Sequence, residues 1–228
     1  MLVGYLCHGI LMGLNRTDVM IPPTLLINGP KDSRYTVVLA HGAGAPMDSP
    51  FMETVCCALA EQGLRTVRFE FPYMAKRRTD GKKRGPDQTK VLLCTWNSVI
   101  AQFDTEHLII GGKSMGGRMA TMVANDSGVR AVVCLGYPFH PPGKPDRTRL
   151  ESLCQLDCPV LVVQGTRDPF GGPCEVSGYP LPTNIDIRWV EDGEHSYIPR
   201  KKSGRTVSQN LDCAVGAMMT FINFLDAP

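Results

Sequence analysis

The sequence predicts one α/β domain over residues 1–228, with a doubly wound, mostly parallel sheet that carries helices on both faces. Seven short runs rich in Val, Ile and Leu alternate with longer helical segments along the chain. The inner runs are almost continuously apolar, as expected of parallel strands buried on both sides. A chain of 228 residues can form one substantial domain, and it contains no internal repeat and no interdomain linker.

Each predicted strand is a short β-rich run bounded by turn residues. In chain order the runs are PTLLING, YTVVLAHG, LRTVRFEF, HLIIGG, VRAVVCLGYP, PVLVVQG and IDIRWVED, which begin at residues 23, 35, 64, 107, 129, 159 and 185. Ligands of such sheets bind outside the carboxyl ends of the strands. The loops that follow these runs are therefore the places to search for a functional site.

Four longer segments are predicted to be helices, at residues 48–63, 86–103, 114–126 and 206–225. The first begins with Asp48-Ser49 before Pro50, which is a typical N-cap arrangement, and ends at Gly63, a typical residue just past a helix. Residues 1–16 are mildly apolar but lack the basic start and cleavage site of a signal peptide. We predict a first strand or hairpin there, or otherwise an extension.

Composition and charge are ordinary for a soluble globular protein, and the formal net charge of +2 requires no nucleic-acid partner. The nine cysteines are odd in number and include no C-x-x-C pair. Several lie in apolar runs, where free cysteine behaves as a small hydrophobic residue. This usage indicates a reducing, cytoplasmic location and argues against a disulfide framework or a zinc site. No other cluster has the spacing of metal ligands.

The stretch HLIIGGKSMGGRMA, residues 107–120, contains two competing motifs. Gly112-Lys113-Ser114 matches the end of a phosphate-binding P-loop, but that motif needs a glycine at position 107, which is His107. The residues between look like a strand instead of an anion-binding loop. The sequence therefore excludes the P-loop.

The same stretch matches the G-x-S-x-G of a nucleophile elbow, in the strand–turn–helix context that this motif requires. Gly112 and Gly116 let the strand and the helix pack closely around a strained turn, which would hold the Ser114 hydroxyl above the sheet. Arg118 is predicted to anchor the elbow helix through a local ion pair. The alternative is a glycine-rich turn with a capping serine.

An acid and a histidine follow Ser114 in the order and positions that a Ser-His-Asp hydrolase requires. Asp168 follows the sixth predicted strand and His195 follows the seventh. Asp168 would orient the imidazole, and His195 would take the Ser114 proton and return it to the leaving group. Singly, Asp168 could form an Asx-turn and His195 could be a surface residue, but their joint placement favours the triad.

The loop after the second predicted strand, His41-Gly42-Ala43-Gly44, is expected to complete an oxyanion hole. The backbone amides of Ala43 and Met115 are the predicted donors to a developing oxyanion. His41 is predicted to be structural and to bond the backbone of its loop.

The motifs LAHGAGAPMDSP, GGKSMGGRMA, QGTRDPFG and GEHS resemble those of the α/β-hydrolase superfamily. Within it they are most similar to the small dienelactone-hydrolase-like proteins of the testis-expressed protein thirty type. The resemblance implies an α/β-hydrolase fold with an eight-stranded type of sheet, a minimal lid and no cofactor. Dienelactone hydrolases themselves use a cysteine nucleophile, whereas this sequence has Ser114.

The sequence thus predicts a serine hydrolase of the carboxylesterase class, which cleaves an ester through an acyl-enzyme, with a thioester or amide as the alternative substrate. The span between the fifth and sixth strands is short and rich in proline, which favours a minimal lid and a small soluble substrate. Tyr73, Tyr137 and His140 lie on loops after strands and could line the substrate pocket. The alternative is a catalytically silent module of the same fold that binds a partner.

Three basic segments should lie at the edge of the sheet that holds the site, and we call them the basic rim: Lys76–Arg84, Lys144–Arg149 and Arg200–Arg205. Positive charge on one face can steer an anionic substrate or an acidic partner. The alternative is a set of solvated loops that keep the protein soluble. Aromatic residues are too few there to favour single-stranded nucleic acid, and neither a nucleic-acid nor a membrane partner is predicted.

Overall fold

The computed structural model describes residues 22–226, which form a seven-stranded sheet. The strands run in the spatial order β1-β3-β2-β4-β5-β6-β7. Their bounds are Leu25–Asn28 (β1), Thr36–Ala40 (β2), Arg65–Phe69 (β3), Leu108–Lys113 (β4), Ala131–Leu135 (β5), Val160–Gly165 (β6) and Ile185–Val190 (β7). All seven predicted strands are confirmed, and the predicted N-terminal strand, hairpin or extension at residues 1–16 lies outside the described residues.

Every strand pairing in this sheet is parallel except one. The edge strand β1 runs antiparallel to β3, with Leu25 opposite Phe69. In the parallel part, β4 lies between β2 and β5, so that Gly112 is aligned with Ala40 on one side and with Cys134 on the other. The sheet is therefore doubly wound and mostly parallel, as predicted. Seven strands are present in the described residues, where the resemblance implied an eight-stranded type.

Eight α-helices accompany these strands in residues 22–226. They span Pro50–Glu61 (α1), Pro72–Asp80 (α2), Thr89–Ile100 (α3), Met115–Thr121 (α4), Ala124–Ser127 (α5), Glu151–Cys154 (α6), Pro173–Val176 (α7) and Val207–Phe224 (α8). The predicted helices at 48–63, 86–103 and 206–225 are confirmed as α1, α3 and α8. The predicted helix at 114–126 is wrong in its length, because the chain breaks there into α4 and α5.

Alternate residues of the central strands face opposite sides of the sheet, as the two-residue period of a strand requires. On β2, Val37 belongs to a buried core beneath α1 and α8. Its neighbour Val38 belongs to a second core beneath α2, α3 and α4. Helices therefore cover both faces, and the continuous apolar runs seen in the sequence follow from this double burial.

Helix α2 was not predicted. Its second half belongs to the basic segment Lys76–Arg84. Its first half carries the two buried side chains, Met74 and Tyr73, and the prediction that Tyr73 lies on a loop is wrong. Local signals for it exist, because Pro72 occupies the first turn and Gly81 ends the helix in a left-handed conformation with φ of 70°. The run of lysine and arginine hides this short amphipathic pattern.

The connection from β5 to β6, residues 136–159, contains only the single-turn helix α6. Tyr137, Phe139 and His140 in it are buried against the domain. This short, packed connection confirms the prediction of a minimal lid.

The carboxyl ends of the parallel strands meet at one edge of the sheet, and the predicted site residues follow them. Ser114 follows β4, Asp168 follows β6 and His195 follows β7. None of the helices in the described part of the chain is long and apolar enough to cross a membrane.

Candidate active site

Ser114 lies between β4 and α4 in a backbone conformation that L-amino acids rarely adopt, with φ of 51° and ψ of −112°. A non-glycine residue at such a φ costs about 1–3 kcal/mol of strain and usually marks a functional turn. Two backbone hydrogen bonds fix the turn: the Ser114 amide donates to the Leu135 carbonyl at 3.0 Å, and the Ser114 carbonyl accepts from the Arg118 amide at 3.0 Å. The turn thus has the geometry expected of a nucleophile elbow.

Glycine at positions 112 and 116 is required by close backbone approach. A Cβ atom on Gly112 would lie 2.2 Å from the Ala40 carbonyl oxygen, and one on Gly116 would lie 2.4 Å from the same oxygen. No side chain fits at those distances. The two glycines of the motif therefore let the end of β2 pass directly beside the elbow, as the sequence predicted.

The end of β2 leads into the loop that carries the predicted oxyanion donor Ala43. The Ala43 residue is exposed, and Met115 is the first residue of α4. In the described part of the chain, neither the Ala43 N–H nor the Met115 N–H donates a hydrogen bond to a backbone carbonyl of a turn or loop. Both N–H groups are therefore available, and the dipole of α4 adds partial positive charge beside the Met115 amide.

The loop is held in place by two buried aromatic side chains. His41 Nδ1 donates to the Gly42 carbonyl at 2.7 Å, and its Nε2 accepts from the Phe71 amide at 3.1 Å. Burial lowers the pKa of His41, so the imidazole stays neutral in this role. Tyr73 on α2 donates its hydroxyl to the Ala43 carbonyl at 3.0 Å. The structural role predicted for His41 is confirmed.

Asp168 and His195 form a direct hydrogen bond. His195 Nδ1 lies 2.8 Å from Asp168 Oδ2, while Asp168 Oδ1 accepts from the Phe170 amide at 2.9 Å. The Asp168 side chain is fully buried and the His195 side chain is 20% exposed. The Asx-turn and the histidine contact, which the sequence offered as alternatives for Asp168, thus occur together, one on each carboxylate oxygen.

The loop that carries His195 is closed at its base by an ion pair. Asp192 accepts hydrogen bonds from the Arg200 amide and from Arg200 Nε, both at 2.7 Å. Within the loop, Tyr197 donates its hydroxyl to the Val163 carbonyl of β6 at 2.9 Å, and its own carbonyl accepts from Asn210 of α8 at 2.7 Å. The His195 imidazole therefore lies on a loop that these hydrogen bonds hold in place.

Ser114 and His195 both border the residues that end β5. Ser114 is bonded to Leu135, and a Cβ placed on the next residue, Gly136, would lie 3.3 Å from His195 Cε1. In the described part of the chain, His195 uses Nδ1 and its backbone carbonyl in hydrogen bonds, which leaves Nε2 without a protein partner. A free Nε2 beside the elbow can accept a proton, and such contacts often tighten only when substrate binds.

A family model described as an alpha/beta hydrolase domain matches residues 33–223, which is most of the chain. The chain belongs to the α/β-hydrolase family. The match includes the Ser114 turn, the loop of the predicted oxyanion donor Ala43 and the Asp168–His195 pair, so all of these lie inside the family domain.

Three solved structures of the family illustrate the likeness. An alpha-beta serine hydrolase homologue from Coxiella burnetii is 23% identical, with a TM-score of 0.61 over 84% of this chain and 89% of that one. An α/β serine hydrolase without a lid from Xanthomonas campestris is 18% identical, with a TM-score of 0.64 over 90% of each chain. Dienelactone hydrolase from Anabaena variabilis is 21% identical, with a TM-score of 0.65 over 86% of this chain and 90% of that one. At these identities the likeness shows a shared fold.

Two residues near the site were not predicted from the sequence. The Phe170 ring packs against the His195 imidazole, with 4.3 Å between the ring centres and 37° between the ring planes. Lys113, the residue before Ser114, donates from Nζ to the His195 carbonyl at 2.6 Å. Position 113 is the last residue of β4, which agrees with the exclusion of a phosphate loop. Motif spacing could not find these contacts, because they join residues far apart in the chain.

The three predicted substrate contacts are all buried in the structure. Tyr73 supports the oxyanion loop, and Tyr137 donates its hydroxyl to the Arg149 carbonyl at 2.8 Å. His140 Nδ1 contacts the Pro141 carbonyl at 2.9 Å. Each polar atom is thus engaged inside the protein, and substrate contact by these side chains stays a prediction.

The ion pair predicted for Arg118 is wrong for the described residues. Arg118 has no acidic partner there, and its Nε is buried without a hydrogen bond. Its side chain instead lines a cavity of about 460 Å³ together with Arg149 and the hydroxyl residues Thr121 and Ser152. The elbow helix is held by its backbone and its glycines.

Part of the basic rim is neutralised by acids. Arg78 contacts both Asp48 and Glu70, at 2.8 Å and 2.6 Å, and Arg84 pairs with Asp80. The rim lysines at positions 76, 82, 83, 144, 201 and 202 are exposed. Within the described residues, the positive rim charges without an ion-pair partner are these lysines together with Arg77, Arg147, Arg149 and Arg205. No group of three or more His, Cys, Asp or Glu side chains within residues 22–226 is arranged to hold a metal ion.

Proposed function

We propose that the protein is a serine hydrolase that cleaves a carboxylic ester, or a thioester or amide, through an acyl-enzyme on Ser114. The observation that carries this proposal is the strained Ser114 turn at the same sheet edge as the hydrogen-bonded Asp168–His195 pair. A module that only binds a partner has no use for backbone strain of about 1–3 kcal/mol at this serine. The strain therefore favours catalysis over the silent module.

The proposed reaction begins with His195 in the tautomer that carries a proton on Nδ1, which donates to Asp168 Oδ2. Nε2 then takes the Ser114 proton while Oγ bonds to the carbonyl carbon of the substrate. The oxygen of the tetrahedral intermediate accepts hydrogen bonds from the Ala43 and Met115 amides. Collapse breaks the bond to the alcohol, whose oxygen receives the proton from Nε2.

Water completes the cycle by the same steps. His195 takes a proton from the attacking water, the oxyanion forms in the same place, and the bond from the acyl carbon to Ser114 Oγ breaks. The acid product leaves, and Ser114 regains its proton. No cofactor takes part in this scheme.

The proposal also includes the class of substrate, the place of the chain within the family and its location in the cell. The minimal lid favours a small soluble ester, and the lysines of the rim favour one that carries negative charge. Within the family, the four motifs favour a place among the small hydrolases of the testis-expressed protein thirty type. All eight described cysteines are free thiols, which supports a cytoplasmic location.

An activity-based probe tests this function without knowledge of the substrate. A fluorophosphonate should add once to the wild-type protein, as Ser114 Oγ bonds to phosphorus and fluoride leaves, and peptide mass mapping should place the adduct on Ser114. The Ser114→Ala variant should take no probe. The control Ser208→Ala removes an exposed hydroxyl from α8 and should react like the wild type. A folded wild-type protein that takes no probe would exclude an activated Ser114 and favour the silent binding module.

A further inference from the structure

Lys113 places a buried ammonium group beneath the candidate site. The residue is only 9% exposed, and its Nζ donates to the His195 carbonyl at 2.6 Å. No carboxylate of the described residues lies within ion-pair distance of it. Burial of a charged amine without a partner acid is costly, so this position calls for a functional reason.

The side chain joins three parts of the site. Its backbone is the strand residue directly before Ser114, and its Cγ would lie 3.4 Å from a Cβ placed on Gly42 of the oxyanion loop. Its Nζ reaches the His195 loop and would lie 2.8 Å from a Cβ placed on Gly136. The Phe51 ring of α1 faces the ammonium, with 5.5 Å from Nζ to the ring centre.

We propose that Lys113 is a positioning residue, which holds the His195 loop at a fixed distance from the nucleophile elbow. This inference rests on the proposed hydrolase function. The hydrogen bond goes to the backbone of His195 and not to its ring, so Lys113 acts through another residue. Misplacement of a catalytic group by about 1 Å can slow a reaction about 10²-fold. A hydrogen bond that fixes the position of the His195 loop therefore contributes to the rate.

The charges around the amine support this role. Burial lowers the pKa of Lys113 to about 8, although Asp168 and Glu194 act in the opposite direction. These two carboxylates and His195 are the titratable groups that face it from the loops after β6 and β7, and α1 contributes the uncharged Phe51 ring. Because this pKa is still about 8, the amine is largely charged at neutral pH, and its hydrogen bond to the His195 carbonyl is charge-assisted.

Two variants separate the hydrogen bond from the charge. Lys113→Met removes both, whereas Lys113→Gln removes the charge and keeps an N–H donor on a side chain one bond shorter. Lys31→Met, at an exposed lysine outside the basic rim, is the matched control. For each, the rate of fluorophosphonate labelling is measured across pH, together with the melting temperature.

The expected results differ for the three variants. Lys113→Met should label about 10- to 100-fold more slowly at its best pH. Lys113→Gln should keep more of the maximal rate than Lys113→Met, because it retains a donor for the His195 carbonyl. Lys31→Met should match the wild type.

Stability should change in the opposite direction to rate. Because the folded protein holds this lysine at a lowered pKa, the unfolded chain binds the proton more tightly, and wild-type stability rises as the pH rises from about 8 toward the ordinary lysine value of 10.5. Lys113→Met should therefore have a higher melting temperature than the wild type near neutral pH. The difference between the two melting temperatures should become smaller in alkaline solution.

A maximal rate for Lys113→Met equal to the wild-type rate, or equal maximal rates for Lys113→Met and Lys113→Gln, would overturn the positioning role and leave the hydrolase function intact. If Lys113→Met does not fold, Lys113→Gln decides, because its shorter donor should lower the maximal rate and an unchanged rate would overturn the role. A wild-type protein that takes no probe would overturn the function and this inference together.

Discussion

Asp168→Asn is expected to slow acylation of Ser114 by about 10⁴-fold while leaving the fold intact. Asp168 Oδ1 accepts from the Phe170 amide and Oδ2 contacts His195 Nδ1. An asparagine can satisfy the Phe170 amide only with its oxygen, which turns its NH₂ group toward His195. Nδ1 must then accept, so the proton moves to Nε2. The imidazole would present a donor to Ser114 and could not act as a base.

The rate of fluorophosphonate labelling measures this effect, with circular dichroism and thermal melting as checks on the fold. Asp157→Asn is a suitable control, because Asp157 is an exposed carboxylate on the connection before β6. Labelling of Asp168→Asn within about 10-fold of the wild-type rate would show that the carboxylate does not set the tautomer in the reactive state.

Gly112→Ala is expected to destabilise the protein by more than about 3 kcal/mol, and the variant would be largely unfolded if the native stability is ordinary. The new methyl group would lie 2.2 Å from the Ala40 oxygen and 2.8 Å from the Ala40 nitrogen. Both atoms belong to the backbone of β2, which is paired with β4 and has no flexible end that could move aside. Urea unfolding of the two proteins measures the difference.

Gly81→Ala separates steric clash from backbone strain. Gly81 also has a positive φ, 70°, but a Cβ there would meet nothing within 4 Å. This control should cost only about 1–2 kcal/mol, the ordinary penalty for an L-residue in the left-handed region. Equal losses for the two variants would mean that the close contact with Ala40 relaxes without cost.

The strands and the order of the candidate triad could be predicted because each depends on local sequence. Buried parallel strands are continuous apolar runs, and β4, β5 and β6 are buried along their whole length. The architecture then places whatever follows those strands at one edge. Ser114, Asp168 and His195 were found in this way, from their positions directly after strands.

Features that depend on packing between distant residues were not predictable. The bond from Lys113 to the His195 carbonyl joins the end of β4 to the loop after β7, and only the fold brings them together. The buried roles of Tyr73 and Tyr137 depend on backbone acceptors 30 and 12 residues away in the chain. Helix α2 was missed because its charges conceal two buried side chains. The ion pair predicted for Arg118 is not formed, because Asp126 and Glu151, which line the same cavity, are not within ion-pair distance of it.

The strand order also has a consequence for how the site is assembled during folding. The pairing of β2 with β4 joins Thr36 to Leu108, so the middle of the sheet forms only after a long loop closes, and such pairings make folding slow. The elbow is built by these central strands, but the histidine follows β7, which joins the sheet only at its edge through β6. During refolding, the Ser114 turn should therefore form in chains in which His195 is not yet in its place beside the turn. After dilution from urea, the far-ultraviolet signal should return before reactivity toward the fluorophosphonate does.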